Sequence, residues 1–358
     1  MSETKSKRQP SIEVLRSLAM LMVITMHYLD KGKVNISLGE SQTFLSVMGW
    51  LLHSFSIVAV NCYVLISGYF LVESKFKWKK LVELVLQVLF YSILVPIVMF
   101  ALGILPASEI SLYKIFLYVF PIHTEHYWFA TSYIIMYAFS PLLAAGIKNL
   151  EKKELKVTIG ILLLIFSAVK TILPIQMDLD KFGYDAIWFI ILFMIAGYIR
   201  LYGLEWIKTS KRGLLVYICG SILTFCIAFV VRAISLFTGK MGYFVTRTFD
   251  YNNLVCLISS IGLFLCFLYW NAPENGFTKL AVKIAPYTFG VYLLHEQWEM
   301  RHVWPKLLGT GKFAGTALQF PHWIVSILIV FWVGIGVDFL RSKLFGLIKN
   351  KTSKESDK

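Results

Sequence analysis

Long apolar runs separated by short polar segments recur along the whole chain. Ten of them reach the about 20 residues that carry an α-helix across a bilayer. They fall at roughly 12–30, 45–72, 78–103, 127–147, 156–174, 185–202, 213–237, 253–270, 282–300 and 321–346. The pattern predicts an all-α polytopic membrane protein, a bundle of about ten transmembrane helices. One transmembrane domain (12–346) lies between an N-terminal segment (1–11) and a polar tail (347–358) expected to be disordered. The link at 104–126 falls short of a span, and its "SLYKIFLYVFP" reads as an interfacial or re-entrant helix. No internal repeat and no separate soluble domain is visible.

Composition agrees. Hydrophobic residues make up 57% of the chain and charged residues only 16%, against about 25% for a soluble domain. A net charge of +14 would suit a nucleic-acid binder. The basic residues instead lie in short clusters between apolar runs, the way membrane topology is written, so nucleic acid is not expected as a partner. With the N-terminus cytoplasmic and ten spans, 24 lysines and arginines fall on the inner side and 11 on the outer. Both termini are therefore expected to be cytoplasmic, in a multi-pass protein of the cell membrane. The five cysteines all lie in apolar runs without metal-ligand spacing, so neither disulfide nor metal is implied. No small-residue cleavage site follows the first span, which is expected to stay in the mature protein.

Against this background the polar residues inside the spans stand out. The first span, "IEVLRSLAMLMVITMHYL", carries Arg16 and His27. Eleven residues is about three turns, so both lie on one helical face, about 16 Å apart. A charge within a bilayer costs at least about 2.5 kcal/mol and marks a pathway or a site. Arg16 could snorkel to headgroups or pair with Glu13; it could also bind an anion. The ninth run, "TFGVYLLHEQWEMR", places Tyr292, His295, Glu296 and Glu299 on one predicted helical face. His295 and Glu296 fall at about the depth of His27. Two histidines with a carboxylate could handle a proton, the carboxylate setting the imidazole tautomer.

Other candidates are less distinctive. "HTEHYWFATSYIIMYAFSPLL" brings His123, Glu125, His126 and Trp128 to the outer side, as an aromatic belt or as a lining for a sugar. Asn61 could hydrogen-bond across the bundle. Lys75, Lys77, Lys79 and Lys80 form an inner basic loop, read as a topology signal and lipid-phosphate contact or as a site for a phosphorylated ligand. No Walker, GxGxxG, HExxH or GxSxG motif occurs.

The Arg16-x10-His27 spacing, followed in order by "SGYFL", "YWFATSYIIMYAFSPLL" and "TFGVYLLHE", resembles the acyltransferase-3 family of membrane acyltransferases. The resemblance covers nearly the whole chain. It implies transfer of an acyl group, by family habit acetyl, from cytoplasmic acyl-CoA (acetyl-CoA as donor substrate, no metal) to a carbohydrate hydroxyl. It also implies a bacterial plasma membrane and a link to polysaccharide-synthesis machinery. His27 would be the essential histidine and Arg16 its companion, with His295 and Glu296 assisting. Relatives often carry RxxR near the inner end of the third span; here the region reads "KFKWKK", so Lys77, Lys79 and Lys80 are the donor-contact candidates. His126, Trp128 and Asn61 are the candidates on the acceptor side. No extracytoplasmic SGNH domain is expected. The competing class is a transporter or flippase for a lipid-linked sugar.

Overall fold

The structure is a computed structural model that describes residues 8–31, 43–175 and 177–356. The first helices are α1 (Pro10–Lys31), α2 (Phe44–Ser56), α3 (Ala59–Leu71), α4 (Trp78–Ala101), α5 (Leu112–Val119) and α6 (Trp128–Asn149). They are followed by α7 (Lys152–Leu163), α8 (Val169–Ile172), α9 (Ala186–Tyr202), α10 (Ser210–Thr238), α11 (Gly242–Arg247) and α12 (Leu254–Leu268). The last are α13 (Gly276–Ile284), α14 (Thr288–His295), α15 (Met300–Leu308), α16 (Thr310–Phe313) and α17 (Gln319–Ser356). Among the described residues the only extended pairing is one isolated bridge, Met177 with Asp180.

Among the described residues seven helical stretches are long and apolar enough to cross a membrane: α1, α2 with α3, α4, α6, α7 with α8, α10 and α17. Two apolar helices, α9 and α12, are shorter. Several expected spans are interrupted. The second bends between Ser56 and Ala59, and the fifth carries a π-turn at Leu164–Ala168. The ninth is three pieces, because Ala285–Tyr287, with Pro286 lacking an N–H, forms a 3₁₀ turn between α13 and α14. Non-helical backbone at membrane depth is tolerated where it lines a cavity, and Ala285 and Pro286 do so. The 104–126 link contains α5, whose Leu112, Tyr113, Ile115 and Phe116 are exposed, as an interfacial helix requires. The tail, expected to be disordered, continues α17 as helix to Ser356.

α1 is the central helix. Of its most apolar window 72% is buried, against 28% for α10. It packs on α2, α3, α12, α13, α14 and α17. α10 and α17 expose leucine, isoleucine and valine on their outer faces, which is where bilayer hydrocarbon would lie.

Glycine sets two close approaches. A Cβ on Gly213 would sit 2.5 Å from the Cys266 backbone nitrogen, and one on Gly262 2.8 Å from the Tyr217 nitrogen, so α10 and α12 meet backbone to backbone. A Cβ on Gly290 would fall 2.2 Å from Asp338 Cγ, and one on Gly334 2.8 Å from Val291 Cα, which seats α14 against α17. Because two of the neighbours at Gly262, the Tyr217 nitrogen and the Gly213 carbonyl oxygen, are backbone atoms that cannot yield, Gly262→Leu should destabilise the bundle by about 1–3 kcal/mol. A thermal melt in detergent checks this; an unchanged midpoint would show that α10 and α12 can part freely.

Candidate functional site

A cavity of about 340 Å³ runs through the bundle beside α1. The face of α1 turned toward it carries Arg16, Met20, Val23 and His27, at i, i+4, i+7 and i+11, so one stripe holds both Arg16 and His27. α4 contributes Lys80, Leu84 and Gln87, and α3 contributes Val60, Tyr63 and Ser67, each set again at helical spacing. α6 closes a further side with Trp128, Phe129 and Tyr133. Arg8, Arg16 and Lys80 are the cations of the lining, and His27 is its only histidine among the described residues.

Arg16 pairs with Glu13. Its Nε lies 3.5 Å from Glu13 Oε2, and both residues line the cavity. That Nε is buried and makes no hydrogen bond among the described residues. The Tyr63 hydroxyl donates to the Arg16 backbone carbonyl at 2.6 Å and so ties α3 to this turn of α1.

His27 meets the residues of α14. Its Nδ1 is 2.9 Å from His295 Nε2 and 3.2 Å from Glu296 Oε1. The other His295 nitrogen, Nδ1, lies 2.6 Å from the Val291 carbonyl oxygen. A carbonyl only accepts, so His295 Nδ1 carries the proton and, in the neutral ring, Nε2 offers its lone pair. His27 must then donate from Nδ1, toward both His295 Nε2 and the Glu296 carboxylate. The neutral His27 ring is left with its lone pair on Nε2, which takes no hydrogen bond among the described residues, on a side chain that lines the cavity. That is the state a general base requires.

Glu296 is fastened on all sides. The Lys31 ammonium contacts its Oε1. Arg301 Nη2 donates to the Glu296 backbone carbonyl at 2.9 Å, and Nε reaches Oε2 at 4.0 Å. Neither cation was read from the sequence as part of the site. Lys31 was detectable as the residue one turn beyond His27 on the same face of α1. Arg301 had no such signal. The structure also changes the reading of the ninth run. α14 ends at His295, so Glu296 and Glu299 do not extend its helical face. Glu299 turns away instead, accepting from the Tyr118 hydroxyl at 2.6 Å and pairing with Lys114 at 3.0 Å. His27, His295 and Glu296 also present ligand atoms within 4.8 Å of one another, close enough for a cation. Lys31 already places a positive charge on the carboxylate oxygen that such an ion would need.

The remaining candidates separate. Lys80 and Trp128 line the cavity; Lys77 and Lys79 belong to the same basic stretch but not to the wall. Asn61 is fully buried, donating to the Tyr251 carbonyl at 2.9 Å and to Ser260 Oγ at 3.2 Å and accepting from Trp188 Nε1 at 3.0 Å. It is a cross-bundle fastening, and it holds the backbone of Tyr251, which itself lines the cavity. His126 is buried beside the site, its Nε2 accepting from the Trp298 N–H at 3.2 Å and its carbonyl accepting from Arg301.

The apolar helices thus enclose a cavity lined by Arg8, Arg16, Lys80 and His27, with His27 joined to His295 and Glu296. The family model described as an acyltransferase domain matches residues 9–339, and the chain belongs to that acyltransferase-3 family. No curated protein and no solved structure matches it.

Burial, with the Arg301 charge adding to it, holds the His126 imidazole down to about 4. A histidine whose folded pKa is depressed loses stability as pH falls from its unfolded value of about 6.5 toward the folded one. The thermal midpoint should therefore drop between pH 6.5 and 4. His126→Gln, which keeps an acceptor for the Trp298 N–H without a titrating group, should flatten that drop. Parallel curves for the two proteins would show that His126 plays no part in it.

Proposed function

We propose that this membrane acyltransferase moves a short acyl group, in the first instance acetyl, from acyl-CoA supplied on the cytoplasmic side to a hydroxyl of a cell-surface or lipid-linked carbohydrate. In this reading the chain crosses a bacterial plasma membrane ten times, with both termini in the cytoplasm. The observation that carries it is the α1 stripe: a guanidinium and an imidazole on one wall of one cavity, with the imidazole lone pair unclaimed.

The CoA phosphates meet Arg8, Arg16 and Lys80, with Lys77 and Lys79 adding to the positive field outside. The thioester lies near His27. The acceptor arrives against Trp128 on the side of His126, where aromatic faces suit the C–H faces of a sugar ring. His27 Nε2 takes the proton of the acceptor hydroxyl as the oxygen attacks the thioester carbonyl. The C–O bond forms, the C–S bond breaks, and the imidazolium returns the proton to the departing CoA thiolate. His295 and Glu296 accept from His27 Nδ1 throughout, so the ring keeps its tautomer and its new charge is compensated. Base catalysis of this kind contributes about 10²–10⁴ in rate.

Purified protein given labelled acetyl-CoA in detergent should transfer label to a glycan or hydrolyse the thioester. His27→Ala should reduce that turnover by about 10²-fold or more with expression and melting temperature preserved. Wild-type turnover in the variant would exclude the mechanism. Inactive wild-type protein in detergent would favour a flippase, which needs two separated compartments to act.

A further inference from the structure

Gln87, on the cavity wall, has its side chain aimed by a buried charge on another span. Asp338, in the last long helix α17, is fully buried. Its Oδ1 accepts from Gln87 Nε2 at 3.0 Å, from the Tyr91 hydroxyl at 2.9 Å and from Arg341 Nε at 2.6 Å, while Arg341 Nη2 reaches Oδ2 at 3.2 Å. Arg341 contacts both Asp338 carboxylate oxygens, which accept. A flipped Gln87 amide would set oxygen against oxygen at hydrogen-bond distance. The NH₂ is therefore locked toward Asp338, and the carbonyl Oε1 is left facing the other way. Gln87 lines the cavity, and its Oε1 takes no hydrogen bond among the described residues. Gly290 belongs to the same device, since any side chain there would displace Asp338.

The geometry points to Gln87 as a donor-binding residue whose carbonyl, oriented by Asp338, accepts an amide N–H from the linker arm of the acyl-CoA. This rests on acyl-CoA being the donor. Between its diphosphate and its sulfur that molecule carries two secondary amides, each with one N–H that loses water on entering the bundle. Lys80, Leu84 and Gln87 lie on one face of α4, so Gln87 stands about 10 Å along the cavity from the Lys80 ammonium's turn, seven residues at 1.5 Å each. A linker anchored by its phosphates at Arg16 and Lys80, with its thioester at His27, passes this wall. An unmatched amide there would weaken binding, and the locked carbonyl supplies the match.

The test uses the full-length protein in detergent, with acetyl-CoA and with acetyl-CoA analogues N-methylated at one linker amide or the other. Gln87→Leu should raise KM for acetyl-CoA about fivefold to tenfold, the scale of one hydrogen bond, with kcat unchanged. One of the two N-methylated donors should bind the wild type weaker by a similar factor, and Gln87→Leu should no longer distinguish that donor from its parent. Asp338→Asn, which can itself donate to Gln87 Oε1 and so release the amide to turn, should raise KM in the same sense. The inference is overturned if neither methylated donor loses affinity for the wild type, or if the loss is equal in wild type and Gln87→Leu. The donor-side comparison stands even if a variant folds poorly. Wild-type protein that turns over no acyl-CoA would overturn the acyl-CoA reading itself, a result distinct from an active enzyme indifferent to Gln87.

Discussion

A bilayer does not leave a charged or strongly polar side chain alone; it must be paired, hydrated or expelled. In this chain the polar residues of α1 meet that constraint by facing inward, and the rest of the site follows from it. His27 cannot satisfy Nδ1 against lipid, so α14 must bring His295 and Glu296 to it. Glu296 in turn needs cations, and Lys31 and Arg301 supply them. Gly290 and Gly334 let α14 lie close against α17, with Asp338 and Val291 filling the space a Cβ would need. The break at Ala285–Tyr287 belongs to the same arrangement, since it places irregular backbone on the cavity wall and not toward hydrocarbon.

The charges are distributed unevenly along the cavity. Its cations, Arg8, Arg16 and Lys80, cluster with Glu13 around the first turns of α1 and α4. Neutral and aromatic walls follow, and His27 stands three helical turns from Arg16. Glu296 and Asp338 are two of the buried carboxylates. Each is held by a basic partner and spends itself on orienting a neighbour, His27 in one case and Gln87 in the other.

Much of this was legible from the residues. The period of α1 placed Arg16 and His27 on one face, and the structure has them on one cavity wall. Apolar run lengths marked out many of the helices, and the short run at 104–126 does hold a short helix, α5. Where the reading went astray, it assumed that a run of apolar residues is one helix. The ninth run is broken by Pro286 and stops at His295, because the following backbone is claimed by Arg301 and the following side chain by Lys31. Asn61 was read as a site candidate as well as a cross-bundle bond, and the structure shows the bond, to Tyr251, Ser260 and Trp188.

Helix formation, apolar length and the face of α1 that must avoid lipid depend on residues within a few turns of one another, so the sequence by itself determined them. The partnerships that give the site its chemistry are contacts between residues far apart along the chain. His27 lies 268 residues from His295, and Gln87 lies 251 from Asp338. No local period encodes such a distance. Which imidazole nitrogen holds the proton, and which way a glutamine amide faces, were settled only when packing brought a carbonyl or a carboxylate to one side of each ring or amide and left the cavity on the other.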